Sequence, residues 1–333
     1  TAFGVSQLAP ILPLYFHDLG VQTPEAMSLW SGLATGATYI IVCLAAPFWG
    51  RVADKKGRKI TLIRSSFGMA LCNILIAFQT TPEGVVLIRL VQGLVSGFYS
   101  ASITLIASES PIERTGWALG LLASANLAGS LIGPLLGGYI ADTVGIRNDF
   151  IIVGTLMGLA GVLATIFIHE NYVPQPNPEK LSIRKLKEQI PEFNSIVALC
   201  VASFIYAICI MSLQPVISVY IKGIVPSNTE NLAFIAGAVF SAMGIAQLMS
   251  SSPLGKLVDK IGPRKVLVVS LIYVGILNIP QAYVSDVYQL AIIRFLQGFG
   301  LGGMLPALNT YLSSKTPREF TGQVFSYNQS CLF

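Results

Sequence analysis

Charge is scarce in this chain. Asp, Glu, Lys and Arg make up 11% of its 333 residues, against 53% hydrophobic, whereas a soluble globular chain carries about 25% charged residues. So few charges cannot clothe a water-facing surface, and the net charge of +5 is too dispersed to mark a nucleic-acid site. Histidine is down to His17 and His169. The five cysteines, Cys43, Cys72, Cys200, Cys209 and Cys331, fall inside apolar runs without metal-ligand or disulfide-framework spacing, so they read as small hydrophobes. With no Ser/His/Asp or Cys/His constellation, no metal cluster and no phosphate loop, enzymatic chemistry, a metal site and a bound cofactor are not expected.

What the chain has instead is long apolar runs. Its mean hydropathy is +0.68, and windows of 20 or more apolar residues recur along it. Each is long enough to cross a bilayer core of about 30 Å at about 1.5 Å per residue. Helices are the expected form, since every backbone amide in lipid must be satisfied within its own segment. The spans read as 1–16, 28–50, 60–79, 85–108, 115–141, 148–168, 195–221, 231–254, 265–284 and 287–312, with another starting near 320. Thr1 is not a methionine, the first run is short, and the last stops at Phe333, so the reading is of a chain truncated at both ends, with ten helices and a stub.

The basic residues sort by side. If the loop at Gly50 faces the cytoplasm, the same side receives seventeen Lys and Arg residues and the other side only Arg147 and Lys222, with Arg89 and Arg294 inside helices. Between 168 and 195 lies a polar segment. Its closely spaced prolines, Pro174, Pro176 and Pro178, favour an extended linker, and Leu181 to Gln189 alternates basic and apolar residues as a short amphipathic surface helix does. The division expected is a first bundle at 1–168, a cytoplasmic linker at 169–194 and a second, incomplete bundle at 195–333.

The two bundles are related by sequence. Gly50, Asp54 and Gly57 return as Gly255, Asp259 and Gly262 at an offset of 205, and Arg58 and Lys59 return as Arg264 and Lys265 after one inserted residue. Arg89, Gln92 and Gly93 return as Arg294, Gln297 and Gly298 at the same offset. Parallel halves of this kind place a substrate path between them near the bilayer midplane. In the hinge, Gly50 admits a neighbouring helix and Gly57 permits positive φ. Asp54 is free to sit against the start of another helix, where a carboxylate is favoured. Repeat symmetry places it near the helix starting at 320 and Asp259 near the one starting at 115. Glu109 is the expected partner of Arg58. These contacts would form a cytoplasmic latch; an ordinary positive loop explains the lysines but not the repeated Gly-Asp-Gly spacing.

Two six-helix halves carrying GxxxDKxGRK between their second and third helices resemble the major facilitator superfamily over essentially the whole chain. The resemblance implies an all-α membrane fold of two pseudo-symmetric bundles. Gly129-Ser130-Leu131-Ile132-Gly133-Pro134-Leu135-Leu136-Gly137-Gly138 is similar to the string marking its proton-coupled antiporters. Gly129, Gly133 and Gly137 share one helix face, Gly138 follows, and Pro134 removes a backbone hydrogen bond. Arg89-x-x-Gln92-Gly93 resembles the fourth-helix motif whose arginine is linked to proton transfer, although Arg89 also lies near enough to a helix end to snorkel. The double proline at Pro10 and Pro13 resembles the first-helix signature of bacterial twelve-helix drug exporters. No carboxylate lies at the centre of an expected helix, which leaves the proton-carrying acid open; the nearest are Asp18, Asp142 and Glu109 at helix ends.

Gln7, Tyr15, Tyr99, Asn126, Gln214 and Gln247 are candidates to line a cavity low in charge, suited to lipophilic or cationic compounds; interhelical hydrogen bonding is the competing use of such residues. The reading is a monomeric, proton-driven exporter in the bacterial plasma membrane, with no nucleic-acid partner. The alternatives are an exporter of one sugar or metabolite and a non-transporting receptor or scaffold.

Overall fold

The same three residues open two of the helices. Thr23-Pro24-Glu25 and Thr81-Pro82-Glu83 each place a threonine at the N-cap, its Oγ1 accepting from Ala26 N at 3.3 Å and from Gly84 N at 3.2 Å. Proline follows where its missing N–H costs nothing, and the glutamate favours the positive end of the helix. The computed structural model describes residues 1–170, 187, 189–190, 192–226, 229, 231–317, 324, 327–328 and 331. In chain order they form α1 (Ala2–Ser6), α2 (Leu8–Asp18), α3 (Pro24–Lys56), α4 (Arg58–Ala77), α5 (Pro82–Val95), α6 (Phe98–Glu109), α7 (Ile112–Val144) and α8 (Ile146–Phe167). After the segment outside the description come α9 (Phe193–Ile224), α10 (Leu232–Ile261), α11 (Pro263–Gln281) and α12 (Val287–Lys315). Among the described residues, nine spans are long and apolar enough to cross a membrane, answering to the nine full-length runs expected between 28 and 312.

Two of the expected runs are broken. The first separates into α1 and α2 at Gln7. The run at 85–108 divides at Gly97, whose φ of 114° ends α5 and begins α6. The carbonyls released by the break are answered from neighbouring helices. Arg64 donates to Ser96 O at 2.8 Å, and Trp49 Nε1 donates to Leu94 O at 2.7 Å. The Arg64 guanidinium lies 3.4 Å over the Trp49 ring, so one cation–π pair serves two orphan acceptors.

Contacts divide the chain into two units, Thr1–Pro176 with Gln214–Gly237, and Asn177–Leu213 with Ala238–Phe333. The later part of α9 and the first turn of α10 thus group with the earlier helices, whereas the sequence division puts all of 195–333 together. In the first unit α4 and α8 run antiparallel. An added Cβ at Gly154 would stand 2.6 Å from Ile74 and one at Gly161 3.0 Å from Ser66, so small residues bring the two helices into contact. Its largest buried side chains are Tyr15, Phe16 and Phe150, with Ile11 and Ile76. The second unit centres on Leu301, Met304, Leu308 and Leu312 of α12 against Val266, Leu267 and Val274 of α11.

Burial is inverted relative to a water-soluble protein. Leu44, Phe167 and Ile279 are 70%, 72% and 65% exposed, while Gln7, Asn73 and Gln297 are fully buried. Large exposed apolar area over nine spans is a lipid-facing surface.

Candidate functional site

Gly57 and Gly262 both hold left-handed conformations that side chains rarely adopt, with φ of 96° and 91°. Each connects two helices with no intervening residue. Among the described residues, Gly50 and Gly255 have no heavy atom within 4 Å of an added Cβ. Among the described residues, a carboxylate that reaches this loop is Glu170, just beyond the end of α8. Its Oε1 accepts from Arg58 N and its Oε2 from Lys59 N, both at 2.8 Å, while Lys59 Nζ donates to Thr165 O at 3.0 Å. The first turn of α4 is thereby capped by a charge-assisted pair of bonds. Glu109, the carboxylate expected beside Arg58, is exposed at the end of α6. The Asp54 side chain and residues 318–323 lie outside the described residues, and so does the contact expected between them; the same holds for side chains 112, 113, 115 and 116, opposite which Asp259 was placed. Arg264 and Asp259 are exposed.

Arg89 is 6% exposed. It does not extend to a helix end: its guanidinium donates to Gln92 Oε1 at 2.6 Å, and its own backbone carbonyl accepts from Thr38 Oγ1 at 3.0 Å. Gly93 lets α3 approach, since a Cβ there would stand 2.5 Å from Thr38 O. The motif therefore builds a buried charged site at the α3–α5 crossing.

The glycines of α7 seat two different elements. A Cβ at Gly129 would meet Ala2 and Phe3 at 3.0 Å, one at Gly133 would lie 2.6 Å from Phe3 O, and one at Gly137 2.7 Å from the Gln7 side chain. Ser6 Oγ donates to Gly129 O at 3.3 Å along the same seam. Gly138 faces the other way, where a Cβ would stand 2.9 Å from Phe234 Cα, and a Cβ at Gly237 would press on the carbonyl of Pro134. One turn further along, the Asp142 carboxylate accepts from Ala233 N at 3.1 Å and from Phe234 N at 2.7 Å, capping α10. Tyr139 completes the contact edge-on to Phe234. The ten-residue string is thus a helix with two working faces.

The cavity candidates are scattered. Gln7 is fully buried, and neither of its amide atoms is hydrogen-bonded among the described residues. Tyr15 is fully buried, and its hydroxyl donates to Ile76 O at 2.7 Å, tying α2 to the end of α4. Tyr99 is exposed, and Asn126, Gln214 and Gln247 are half-buried. Glu170 and the buried Asp149 were missed by sequence reasoning. The first sits where a polar segment begins, and the second in the first turn of a span, where an acid reads as an ordinary helix opener.

The sequence model of the Major Facilitator Superfamily matches residues 1–224 and 199–333. The chain belongs to the Major Facilitator Superfamily. It is 38% identical over 330 residues to the Multidrug resistance protein MdtG of Salmonella schwarzengrund, Salmonella newport and Salmonella heidelberg, the alignments covering 99% of this chain and 81% of each relative. Among solved structures it resembles the nucleoside transporter NupG, with a TM-score of 0.76 at 12% identity over 99% of this chain and 85% of that one. It also resembles a D-xylose-proton symporter, with a TM-score of 0.71 at 16% identity over 99% and 84%. At such identities these two establish the fold alone. As a superfamily member the chain is a multi-pass membrane transporter and not an enzyme.

Proposed function

We propose that the chain is a proton-coupled exporter of lipophilic or cationic compounds, working by alternating access as a monomer in a bacterial plasma membrane, with the Gly50–Lys59 loop and the central linker in the cytoplasm. The observation that carries this reading is α7. Its antiporter-type glycines seat α1 on one face, and Gly138, Pro134 and Asp142 seat the start of α10 on the other. A helix fitted to two partners by missing side chains is suited to separate from one while keeping the other. The drug-resistance relatives support the substrate class, and the seventeen-to-two charge asymmetry supports the orientation. Arg89 is assigned to proton coupling, acting through a neighbouring group because a guanidinium does not titrate. The hinge residues Gly50, Asp54, Gly57, Arg58 and Lys59, with Gly255, Asp259, Gly262 and Arg264, are assigned to a cytoplasmic latch. The energy source is the proton gradient, about 2.3 kcal/mol per charge at about 100 mV.

Inverted vesicles carrying the chain should accumulate a lipophilic cationic dye when a proton gradient is imposed and lose it when a protonophore is added. Accumulation equal to that of empty vesicles, or indifferent to the protonophore, would refute the reading. Asp142→Ala should slow dye accumulation severalfold without abolishing folding, as expected for a contact that sets conformational balance.

A further inference from the structure

Asp149, in the first turn of α8, is fully buried, and neither carboxylate oxygen has a hydrogen-bond partner among the described residues. Its sequence neighbours are engaged elsewhere: Arg147 reaches Gln79 O at 3.5 Å, Asn148 Nδ2 donates to Val144 O at 2.6 Å, and the Phe150 ring stands edge-on to Tyr15 at 5.1 Å. The backbone N–H of Asp149 is already bonded to Gly145 O at 3.1 Å, so the carboxylate does not close onto the start of its own helix. The elements packed around α8 are α4, α7 and the α1–α2 segment. The titratable or charged groups they carry toward this end are Cys72 on α4, Tyr15, His17 and Asp18 on α2, and Asp142 and Tyr139 on α7, the last edge-on to Phe234. Tyr15 is bonded to Ile76 O and Gln79 O, His17 lies 3.8 Å from Asp18, and Asp142 is bonded to Ala233 N and Phe234 N. Among the described residues, no cation is bonded to Asp149. An ionised carboxylate without donor or counter-ion is among the most costly groups to bury, whereas the protonated acid is tolerated there.

We propose that Asp149 is a proton-binding carboxylate, occupied by a proton in the arrangement seen here and emptied when the helices around it separate. The step forms one O–H bond on the side chain as a proton arrives from water and breaks it as the proton passes to water on the opposite side; nothing is oxidised or reduced. The role in transport rests on the proton-driven reading above, while the protonation itself does not.

The test uses the full chain in lipid. Infrared difference spectra between acidic and alkaline buffer, on protein labelled at aspartate, should contain the carbonyl stretch of a protonated buried carboxylic acid, with a deuterium shift, and Asp149→Asn should remove it. Gradient-driven accumulation of a lipophilic cationic dye should fall about tenfold or more in Asp149→Asn, as expected on loss of a charge-coupled step. Gradient-independent dye counterflow should persist, and Asp149→Glu should restore part of the driven accumulation. Absence of the band from the wild type, or its persistence in Asp149→Asn, overturns the proposal, as does driven accumulation that survives the substitution. If Asp149→Asn does not fold, Asp149→Glu, which takes this one carboxyl out of the aspartate label, should remove the labelled band, and its persistence there overturns the proposal. Wild-type accumulation indifferent to the gradient would instead overturn the exporter reading and leave the band in place.

Discussion

Arg89 and Gln92 stand on α5 where Arg294 and Gln297 stand on α12, each pair one repeat apart, yet the polar contacts differ. Arg89 donates to Gln92 at 2.6 Å. Gln297 instead donates to Asn278 Oδ1 at 2.9 Å and accepts from Gln281 at 3.3 Å, leaving Arg294 3.4 Å from the Met243 sulfur and 5.9 Å from the Phe240 ring. The backbone beneath is the same. Gly93 faces Thr38 O and Ile41, and Gly298 faces Met243 O and Ala246, all at the repeat offset. The divergence traces to two substitutions between equivalent positions. Ile76 becomes Gln281, which offers Gln297 a partner, and Thr38 becomes Met243, which removes the hydroxyl that held the carbonyl of Arg89. Helix crossings are fixed by absent side chains, whereas polar networks follow whichever donors the neighbours supply. One half therefore keeps an arginine–amide pair, and the other keeps an amide cluster with a stranded arginine.

The largest expected effect tests the shared backbone. Gly93→Ala puts a Cβ 2.5 Å from Thr38 O, and Gly298→Ala puts one against Met243 O and 2.7 Å from the Ala246 Cβ. Each should cost about 1–3 kcal/mol or more through overpacking, read as a lower unfolding midpoint in detergent. Gly255→Ala, with nothing among the described residues within 4 Å, should instead be neutral or stabilising by up to about 1 kcal/mol. A large loss at one of Gly93 and Gly298 and none at the other would break the equivalence of the two crossings.

The repeat also explains what was legible from residues alone. Nine spans and the left-handed glycine at 57 belong to patterns of apolarity and missing side chains, which a sequence displays directly. Division at Gly97 was not legible, because an apolar run gives no sign of a helix break that Arg64 and Trp49 satisfy from other helices. Glu170 was hidden for a similar reason: it acts 111 residues from Lys59, and a lone acid beyond a span carries no pattern. Asp149 went unread because burial of one end of a helix depends on what packs over it. Gln7 and Tyr15 were read together as cavity-lining, but only tertiary contacts separate an amide without a bond from a hydroxyl bonded to Ile76 O.

A smaller effect separates the two arginines. Arg89→Leu removes the donor to a buried amide and should destabilise the chain by about 1–3 kcal/mol. In Arg294 two of the three guanidinium nitrogens are buried without a partner among the described residues, so Arg294→Leu removes an uncompensated charge and should be neutral or stabilising, as buried charges replaced by apolar residues of similar volume often are. Unfolding midpoints of the two variants in the same detergent give the comparison. Equal losses would mean that the stranded and the paired arginine are energetically alike, contrary to the geometry.

The smallest effect lies in the amides. A double-mutant cycle on Asn278→Leu and Gln297→Leu should return a coupling of about 0.6–1.7 kcal/mol, the range of interhelical hydrogen bonds in membranes. The equivalent cycle on Asn73 and Gln92 should return close to zero, because Asn73 Nδ2 is turned to Met69 O at 2.8 Å and the Met157 sulfur at 3.4 Å. The difference should also be transferable. Ile76→Gln supplies the first half with the amide that Gln281 supplies to the second, drawing Gln92 off Arg89. A coupling should then appear between positions 76 and 92, and the cost of Arg89→Leu should shrink in that background. If Arg89→Leu costs the same with and without Ile76→Gln, the arginine and not the neighbouring amide decides where Gln92 points.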